Sequence, residues 1–288
     1  MHCSAYSLRC SPVAAIAFLS LVLPVSLVSM VRADDLFPDK NLEAAVRREV
    51  FEKRYNSEPL TAEDVKNISQ VIGKGKGIKS LEGLQNCRAI QKLDLENNEI
   101  SDLSPLKELK LLQWIDLSTN KIESIEPLSQ LVKTQYLQIS KNGITDLAPL
   151  KDMSNLRSLY ASDNKIKSLD PVAGLTKIWT LQIAGNLLDD ASPIGQMKGL
   201  DTINLKGCGI KSLEFVRTLR PRFLMLNGNA IADLTALADI CEADAKGDGR
   251  FAAFLQLYLD ESLIKENTHA AAFERLRAAG VRINPESK

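Results

Sequence analysis

The chain has 288 residues, and its 36 lysines and arginines equal its 36 aspartates and glutamates in number. Hydrophobic residues make up 45% of the chain and aromatic residues only 5%. Because the basic residues are balanced and spread along the sequence, it lacks the positive patch of a nucleic-acid-binding protein, and we expect no nucleic-acid partner.

Residues 1–33 have the pattern of a secretory signal peptide. Arg9 precedes a nearly uncharged apolar stretch at residues 13–31, and Val31-Arg32-Ala33 fits a small-residue cleavage site. We therefore expect cleavage after Ala33 and a secreted or periplasmic protein, whose mature chain has 34 basic and 36 acidic residues. An uncleaved membrane anchor is the alternative, because the apolar stretch is near spanning length. No second apolar span follows, so no membrane span is expected after cleavage.

Residues 34–77 are predicted to form a helical N-terminal cap. Phe37-Pro38-Asp39 leads into a helix, which Asp39 or Asn41 could cap, and its apolar residues recur on one face. A second helix is predicted to start at Thr61. The glycine-rich residues 73–77 form a degenerate first repeat unit. An open sheet end would expose apolar core and unpaired backbone groups, and the cap covers them.

A repeat of 22 residues occupies positions 78–234. Each unit reads L-x-L-x-x-N-x-I, and the last position recurs at Ile78, Ile100, Ile122, Ile144, Ile166, Leu188 and Ile210, then after 21 residues at Ile231. This resembles the leucine-rich repeat. It implies an α/β solenoid, curved and right-handed, with a parallel β-sheet on its concave face, 3₁₀ turns on its convex face and helical caps at both ends.

The asparagines of the repeat are predicted to form a buried structural ladder. A buried amide offers donors and an acceptor to backbone groups that lose their sheet partners where the strand ends. The ladder residues are Asn98, Asn120, Asn142, Asn164, Asn186 and Asn229, with Cys208 as a substitute in one unit and Ser262 in the same place in a later unit.

Prolines also recur every 22 residues, as in Ser104-Pro105 and Ser192-Pro193. This pattern predicts a short helical turn on the outer side of each unit, with proline at its first position. One apolar residue per turn is expected to be buried. That column is Cys87, Leu109, Leu131, Met153, Leu175, Met197 and Leu219.

Residues 235–288 are predicted to hold an irregular last repeat and a C-terminal cap helix. The next unit, 257–264, comes late because of a charged, glycine-containing surface loop at residues 242–250. A helix is expected at residues 268–279, ended by Gly280, and a last strand at 281–283. The mature chain keeps three cysteines, which we interpret as small buried hydrophobes, and a Cys208–Cys241 disulfide is the alternative.

The two ends and the repeat together resemble bacterial internalin-like leucine-rich-repeat proteins. The matching residues are the segment 37–46 (FPDKNLEAAV), the entry 78–84 (IKSLEGL), the repeat tail 100–106 (ISDLSPL) and the closing Gly280-Val281-Arg282-Ile283. The resemblance implies a non-enzymatic protein that binds its partner on the concave sheet face. The cell-wall attachment domains that some family members carry are not found in this sequence, which argues against an anchored adhesin.

The outward positions of the strands define the candidate binding site. Both tryptophans and three of the five tyrosines fall on or beside this face, and exposed Trp and Tyr are the residue types that anchor interfaces. The competing interpretation is that large side chains merely fill space there. The predicted ligand-binding residues are Trp114, Tyr136, Tyr160, Trp179, Asp94, Asp116, Gln138, Gln182, Asn204, Phe223, Met225 and Tyr258.

We expect a monomeric recognition module that binds a protein or peptide. A glycan or cell-envelope polysaccharide binder is the first alternative, because aromatics flanked by amides and carboxylates also suit sugars, and a structural envelope protein is the second. An enzyme is not expected, since His269 is the single histidine after residue 33 and no metal-ligand or phosphate-loop motif is present. No cofactor, metal or catalytic residue is therefore predicted.

Overall fold

The computed structural model describes residues 35–265 and 267–285 of the chain. Its core element is one parallel sheet of ten strands in sequence order. The strands are β1 (Gln70–Ile72), β2 (Lys92–Asp94), β3 (Trp114–Asp116), β4 (Tyr136–Gln138), β5 (Ser158–Tyr160), β6 (Thr180–Gln182), β7 (Thr202–Asn204), β8 (Phe223–Met225), β9 (Gln256–Tyr258) and β10 (Arg282–Ile283). The predicted signal peptide lies outside the described residues.

The sheet forms because each 22-residue unit delivers one strand in register with the last. Leu93 pairs with Ile115, and Ile115 pairs with Leu137, so equivalent repeat positions lie side by side. The middle residue of β2 to β9 is buried, while its two neighbours point to the other face. The strand-order and parallel pairing confirm the leucine-rich-repeat solenoid predicted from the sequence.

Short 3₁₀ turns follow the strands on the opposite side of each unit. They are Leu84–Asn86, Ser104–Leu106, Glu126–Leu128, Ala148–Leu150, Asp170–Val172, Ser192–Gln196, Glu214–Thr218, Ala252–Phe254 and Asn267–His269. In the turns that begin at Ser104 and Ser192, proline lies at the second position, one residue later than predicted. In both turns the aspartate two residues before the serine accepts the serine N–H, as Asp102 does from Ser104 at 2.9 Å. The predicted apolar column of these turns is buried throughout.

Helices α1 (Lys40–Arg47) and α2 (Ala62–Val65) form the N-terminal cap. Asp39 is the N-cap residue of α1: one oxygen accepts from Asn41 and Leu42, and the other accepts from Lys79 and Ser80 of the first repeat. Burial alone would raise the pKa of Asp39, but these four N–H groups hold it below its usual value. Asp39 therefore fixes α1 onto the solenoid.

Helices α3 (Thr235–Lys246), α4 (Glu261–Lys265) and α5 (Ala270–Ala278) lie at the C-terminal end. The predicted loop at residues 242–250 is wrong in its first half, because α3 continues to Lys246 through an alanine-rich stretch of high helix propensity. Arg275 of α5 joins the two helices by ion pairs with Asp239 at 2.7 Å and Glu242 at 2.6 Å. The α5 helix and the strand β10 fit the predicted C-terminal cap.

The asparagines bridge neighbouring units, as a ladder requires. The Oδ1 of Asn186 accepts from the N–H of Ile166 at 3.0 Å, and its Nδ2 donates to the carbonyls of Ala161 at 3.0 Å and Ile183 at 2.7 Å. The Cys208 thiol donates to Ile183 O at 3.2 Å in the equivalent place. Ser262 does not join the ladder: it is exposed, because it lies in helix α4, which begins at Glu261 and replaces the ladder turn.

The three cysteines after residue 33 are free and buried, so the alternative of a Cys208–Cys241 disulfide is wrong. Burial raises the pKa of Cys87 and Cys241 to about 12 and that of Cys208 to about 11. At neutral pH these thiols are protonated and act as small apolar side chains. Across residues 35–265 and 267–285, no helix combines the length and the apolar content that crossing a membrane requires.

Candidate binding face

The first and third residues of strands β2 to β9 share one side of the sheet, which we call the sheet face. Parallel strands lie ~4.8 Å apart, so side chains at equivalent positions form rows across the repeats. The first row begins with Lys92, Trp114 and Tyr136, and the second with Asp94, Asp116 and Gln138. Most of these side chains are half-buried by their neighbours in the row. The predicted site residues other than Trp179 all lie on the sheet face.

Three aromatic side chains in successive strands form a continuous group, the aromatic stack of Trp114, Tyr136 and Tyr160. The rings of Trp114 and Tyr136 are 4.9 Å apart between centroids and nearly parallel, with an interplanar angle of 7°. Tyr160 continues the group at 5.1 Å from Tyr136, tilted by 40°. The Lys92 ammonium lies 4.9 Å from the Trp114 ring centroid and closes the other end.

The contacts of the aromatic stack determine which parts of the rings a partner can reach. Tyr136 lies between Trp114 and Tyr160, and Trp114 lies between Lys92 and Tyr136, so the ring faces are largely covered. The ring edges and polar tips remain. The hydroxyls of Tyr136 and Tyr160 and the indole N–H of Trp114 form no hydrogen bond to any other residue that the structure describes. The stack therefore offers a row of edges with unused polar groups.

Three carboxylates lie beside the aromatic stack. Each of Asp94, Glu96 and Asp116 has an oxygen within 4.8 Å of the others. Asp116 is only 8% exposed, and one of its oxygens accepts from the N–H of Ser118 at 2.9 Å and from its hydroxyl at 2.6 Å. Burial raises the pKa of Asp116, and the charges of Asp94 and Glu96 raise it further, whereas the bonds from Ser118 lower it.

The proximity of these carboxylates also affects the aromatic stack. Burial raises the pKa of Tyr136 to about 12, with further contributions from Asp116, Tyr160 and Asp94. The phenol therefore stays protonated at neutral pH and can donate a hydrogen bond as well as accept one. A partner would meet the three carboxylates and the neutral phenol of Tyr136 at the same end of the sheet face.

Trp179 precedes strand β6 and lies next to the sheet face. Its side chain is 55% exposed, and its indole N–H donates to the hydroxyl of Ser158 at 3.2 Å. Ser158 pairs with Tyr136 in the next strand. The predicted diagonal patch therefore contains a direct ring series from Trp114 to Tyr160, with Trp179 attached through Ser158.

The other predicted site residues continue along the sheet face. Gln138, Gln182 and Asn204 occupy the second row with Tyr160, and Asn204 accepts from its own loop at the N–H of Lys206. Phe223, Met225 and Tyr258 form a separate apolar group at the C-terminal end. Strands β6 and β7, with Thr180 and Thr202 in the first row, separate this group from the aromatic stack.

Three charged residues contact this site but were absent from the predicted set. Lys92 and Glu96 occupy outward positions, so the repeat pattern places them on the face. Nothing in the sequence indicates that Lys92 contacts a ring or that Glu96 forms an ion pair. Lys74 lies in the degenerate first unit, and its ammonium pairs with Glu96 at 2.5 Å. The loss of the repeat pattern at residues 73–77 hides that contact.

Comparisons with known proteins agree with this architecture. The family described as Leucine Rich repeats (2 copies) matches residues 88–130 and 135–174. A comparison with curated protein sequences found no match.

Among solved structures, internalin C2 from Listeria monocytogenes is 29% identical, with a TM-score of 0.66 over 71% of this chain and 91% of that one. The functional domain of InlJ from Listeria monocytogenes is 19% identical, with a TM-score of 0.54 over 78% of this chain and 55% of that one. A leucine-rich-repeat protein from Leptospira interrogans is 24% identical, with a TM-score of 0.58 over 65% and 50%, respectively. The last two show the fold alone. The matched repeats and the likeness to internalin C2 together support an internalin-like leucine-rich-repeat protein.

Proposed function

We propose that this chain is a non-enzymatic recognition module, secreted or periplasmic, that binds a protein or peptide through the sheet face. The observation that carries the proposal is the aromatic stack of Trp114, Tyr136 and Tyr160. Tyrosine and tryptophan are enriched among the residues that supply most of the energy at interfaces. A partly exposed group of three such residues gives this face its anchor.

The rigidity of the aromatic stack supports the same function. Binding costs free energy when mobile side chains must be ordered, at about 0.5–1.5 kcal/mol for each rotamer-rich side chain. The rings of Trp114 and Tyr136 already restrain each other, and both extend from hydrogen-bonded strands. A partner would therefore meet a preorganised surface and lose little affinity to ordering.

The geometry favours a polypeptide over a glycan. Sugars would need open ring faces to stack on, whereas Tyr136 has Trp114 and Tyr160 as neighbours and Trp114 has Lys92 on its other side. Edges, phenol hydroxyls and carboxylates instead suit peptide N–H groups and side chains. A purely structural envelope role would not require this surface to stay open.

The placement of the titratable groups supports a binding role over a catalytic one. His269 lies at the C-terminal end, in the turn before α5, and not with the carboxylates of the sheet face. Asp116 is held by Ser118 in a fixed orientation. Such an arrangement can recognise charge and hydrogen-bond donors, and we infer that recognition is its role.

A random linear peptide library displayed on phage would test the proposal. Binders selected on the wild-type protein would be measured against the double variant Tyr136→Ala/Tyr160→Ala and against Tyr55→Ala, which removes a 94% exposed tyrosine from the N-terminal cap. We expect binding to fall by about tenfold or more in the double variant and to be unchanged in the control. Selected peptides that bind all three proteins equally would contradict the use of this face.

A further inference from the structure

Some of the charged groups beside the aromatic stack have a partner among the described residues and others do not. Glu96 is neutralised by Lys74, and Lys92 contacts the Trp114 ring. Asp94 and Asp116, which pair across β2 and β3, form no ion pair with any residue in the described part of the chain. These two adjacent carboxylates therefore have no ion-pair partner of their own among those residues, and the Lys74 ammonium that pairs with Glu96 attracts them only at longer range.

The ionised form of Asp116 is unfavourable at this position. Asp116 is largely buried, and its carboxylate lies close to those of Asp94 and Glu96. Burial and like charges both raise its pKa, which is the direction expected when the ionised form is unfavourable. A cation placed between Asp94 and Asp116 would relieve that repulsion.

Acidic residues alone are common on protein surfaces, and the aromatic stack is what restricts the choice of cation here. Trp114 and Asp116 project from the same strand to the same side, so an apolar wall borders the carboxylates. Arginine and lysine have an apolar stem and a cationic head, and they lay the stem on apolar surface while the head meets acceptors. Arginine can also donate two parallel hydrogen bonds to carboxylates.

We propose that the partner presents a polypeptide segment with a basic side chain, arginine in preference to lysine, whose head sits on Asp94 and Asp116 and whose stem lies along the edges of the aromatic stack. This inference rests on the proposed function, because it names the chemistry of the segment that the sheet face binds. The phenol hydroxyls of Tyr136 and Tyr160 would then form hydrogen bonds with the backbone of the same segment.

The test uses peptides selected on the wild-type protein from the random linear library. The peptides should be enriched in arginine or lysine at one position. Each would be measured against Asp94→Asn/Asp116→Asn, which keeps side-chain shape, and against the control Glu99→Gln, which removes an exposed carboxylate paired with Lys121 away from the sheet face. We expect the aspartate variant to bind about tenfold or more weakly and the control to bind normally.

A change in the peptide provides a readout that does not depend on folding of the variant. Citrulline in place of the selected arginine removes the charge and nearly preserves shape. It should weaken binding to the wild-type protein by about tenfold and have little further effect on the aspartate variant, since both changes remove the same interaction.

The two proposals fail in different ways. Peptides that need Tyr136 and Tyr160 but lack a basic residue, or that tolerate citrulline and the aspartate variant, would overturn the inference and leave the proposed function standing. Peptides that bind the Tyr136→Ala/Tyr160→Ala variant normally would overturn both. Competition by Ca²⁺ in the absence of any basic preference would mean that the carboxylates hold a metal ion, which also contradicts the inference.

Discussion

Trp114 and Tyr136 stack at a centroid distance of 4.9 Å with an interplanar angle of 7°. They are direct partners in the parallel pairing of β3 and β4, and adjacent strands are ~4.8 Å apart. The backbone spacing therefore sets the ring spacing. A 22-residue repeat that puts aromatic residues at one position of successive units produces such a stack without further design.

The middle ring controls how far Trp114 is exposed. In a Trp179→Phe background, Tyr136→Ala should increase acrylamide quenching of Trp114 emission and reduce the near-UV circular dichroism, because Trp114 loses the ring against its face. Tyr258→Ala, which removes a tyrosine from the other end of the sheet face, is the control. Equal quenching in the Tyr136→Ala and Tyr258→Ala proteins would show that the rings do not stack in solution.

The ladder asparagines should contribute strongly to stability. Asn186→Ala removes the partners of Ile166 N–H and Ala161 O in a fully buried place, and we expect it to lower the free energy of unfolding by about 3 kcal/mol. Cys208→Ala at the equivalent position removes only a weak thiol donor and should cost about 1 kcal/mol. Urea unfolding of both variants measures the difference. Equal losses in the two variants would mean that the hydrogen bonds of the Asn186 amide do not add to the free energy of unfolding.

One position in each repeat unit has a positive φ, and it is strained where a β-branched residue occupies it. Thr119 has a φ of 57°, in the left-handed region that β-branched residues disfavour. Thr119→Gly should raise the free energy of unfolding by about 0.5–1 kcal/mol, since relief of the strain exceeds the extra chain entropy that glycine loses. Thr145→Gly, at an exposed threonine without positive φ, should lower it by a similar amount. Destabilisation by both glycines would contradict the strain.

The sequence was sufficient to predict those parts of the molecule that recur. The units that end at Ile100 to Ile231 predicted the strands and turns, because seven copies of one pattern average out local ambiguity. The positions with positive φ could not be predicted from the sequence. They are occupied by Thr119, Lys141 and Asp163 as well as by Asn97 and glycines, so no single residue type marks them.

The parts that occur once were harder to predict. Helix α3 replaces a turn in only one unit, and its charged end at residues 242–246 has the composition of a loop. At the site, the repeat register placed Trp114, Tyr136 and Asp116 on one face. It did not predict that Lys92 would cover the indole or that Lys74 would neutralise Glu96, because long side chains choose their partners from the tertiary surroundings.

The N-terminal cap should lose stability in acid through Asp64. Hydrogen bonds from Lys53, which contributes most, and from Thr61 lower the pKa of Asp64 from 3.8 to about 2. The unfolded chain therefore binds more protons between pH ~4 and ~2, so this contribution is fully present above pH ~4 and is lost as the pH falls to ~2. Asp64→Asn should be less stable than the wild type above pH 4, and the gap should close by pH 2.

Unfolding curves at several pH values measure this effect. Asp248→Asn is the matched control, because its carboxylate meets only Arg250, at 3.7 Å, in an exposed loop. The control should follow the wild type at every pH. A constant gap between the wild type and Asp64→Asn from pH 5 to pH 2 would exclude the proposed linkage.

The most direct test of the central claim is acrylamide quenching of Trp114 in the Trp179→Phe protein, with and without a peptide selected on the wild type. Trp114 lies within the aromatic stack, so a partner seated on the sheet face must shield it. We predict that saturating peptide lowers the quenching constant severalfold. An unchanged quenching constant at full saturation would show that the partner binds elsewhere on the molecule.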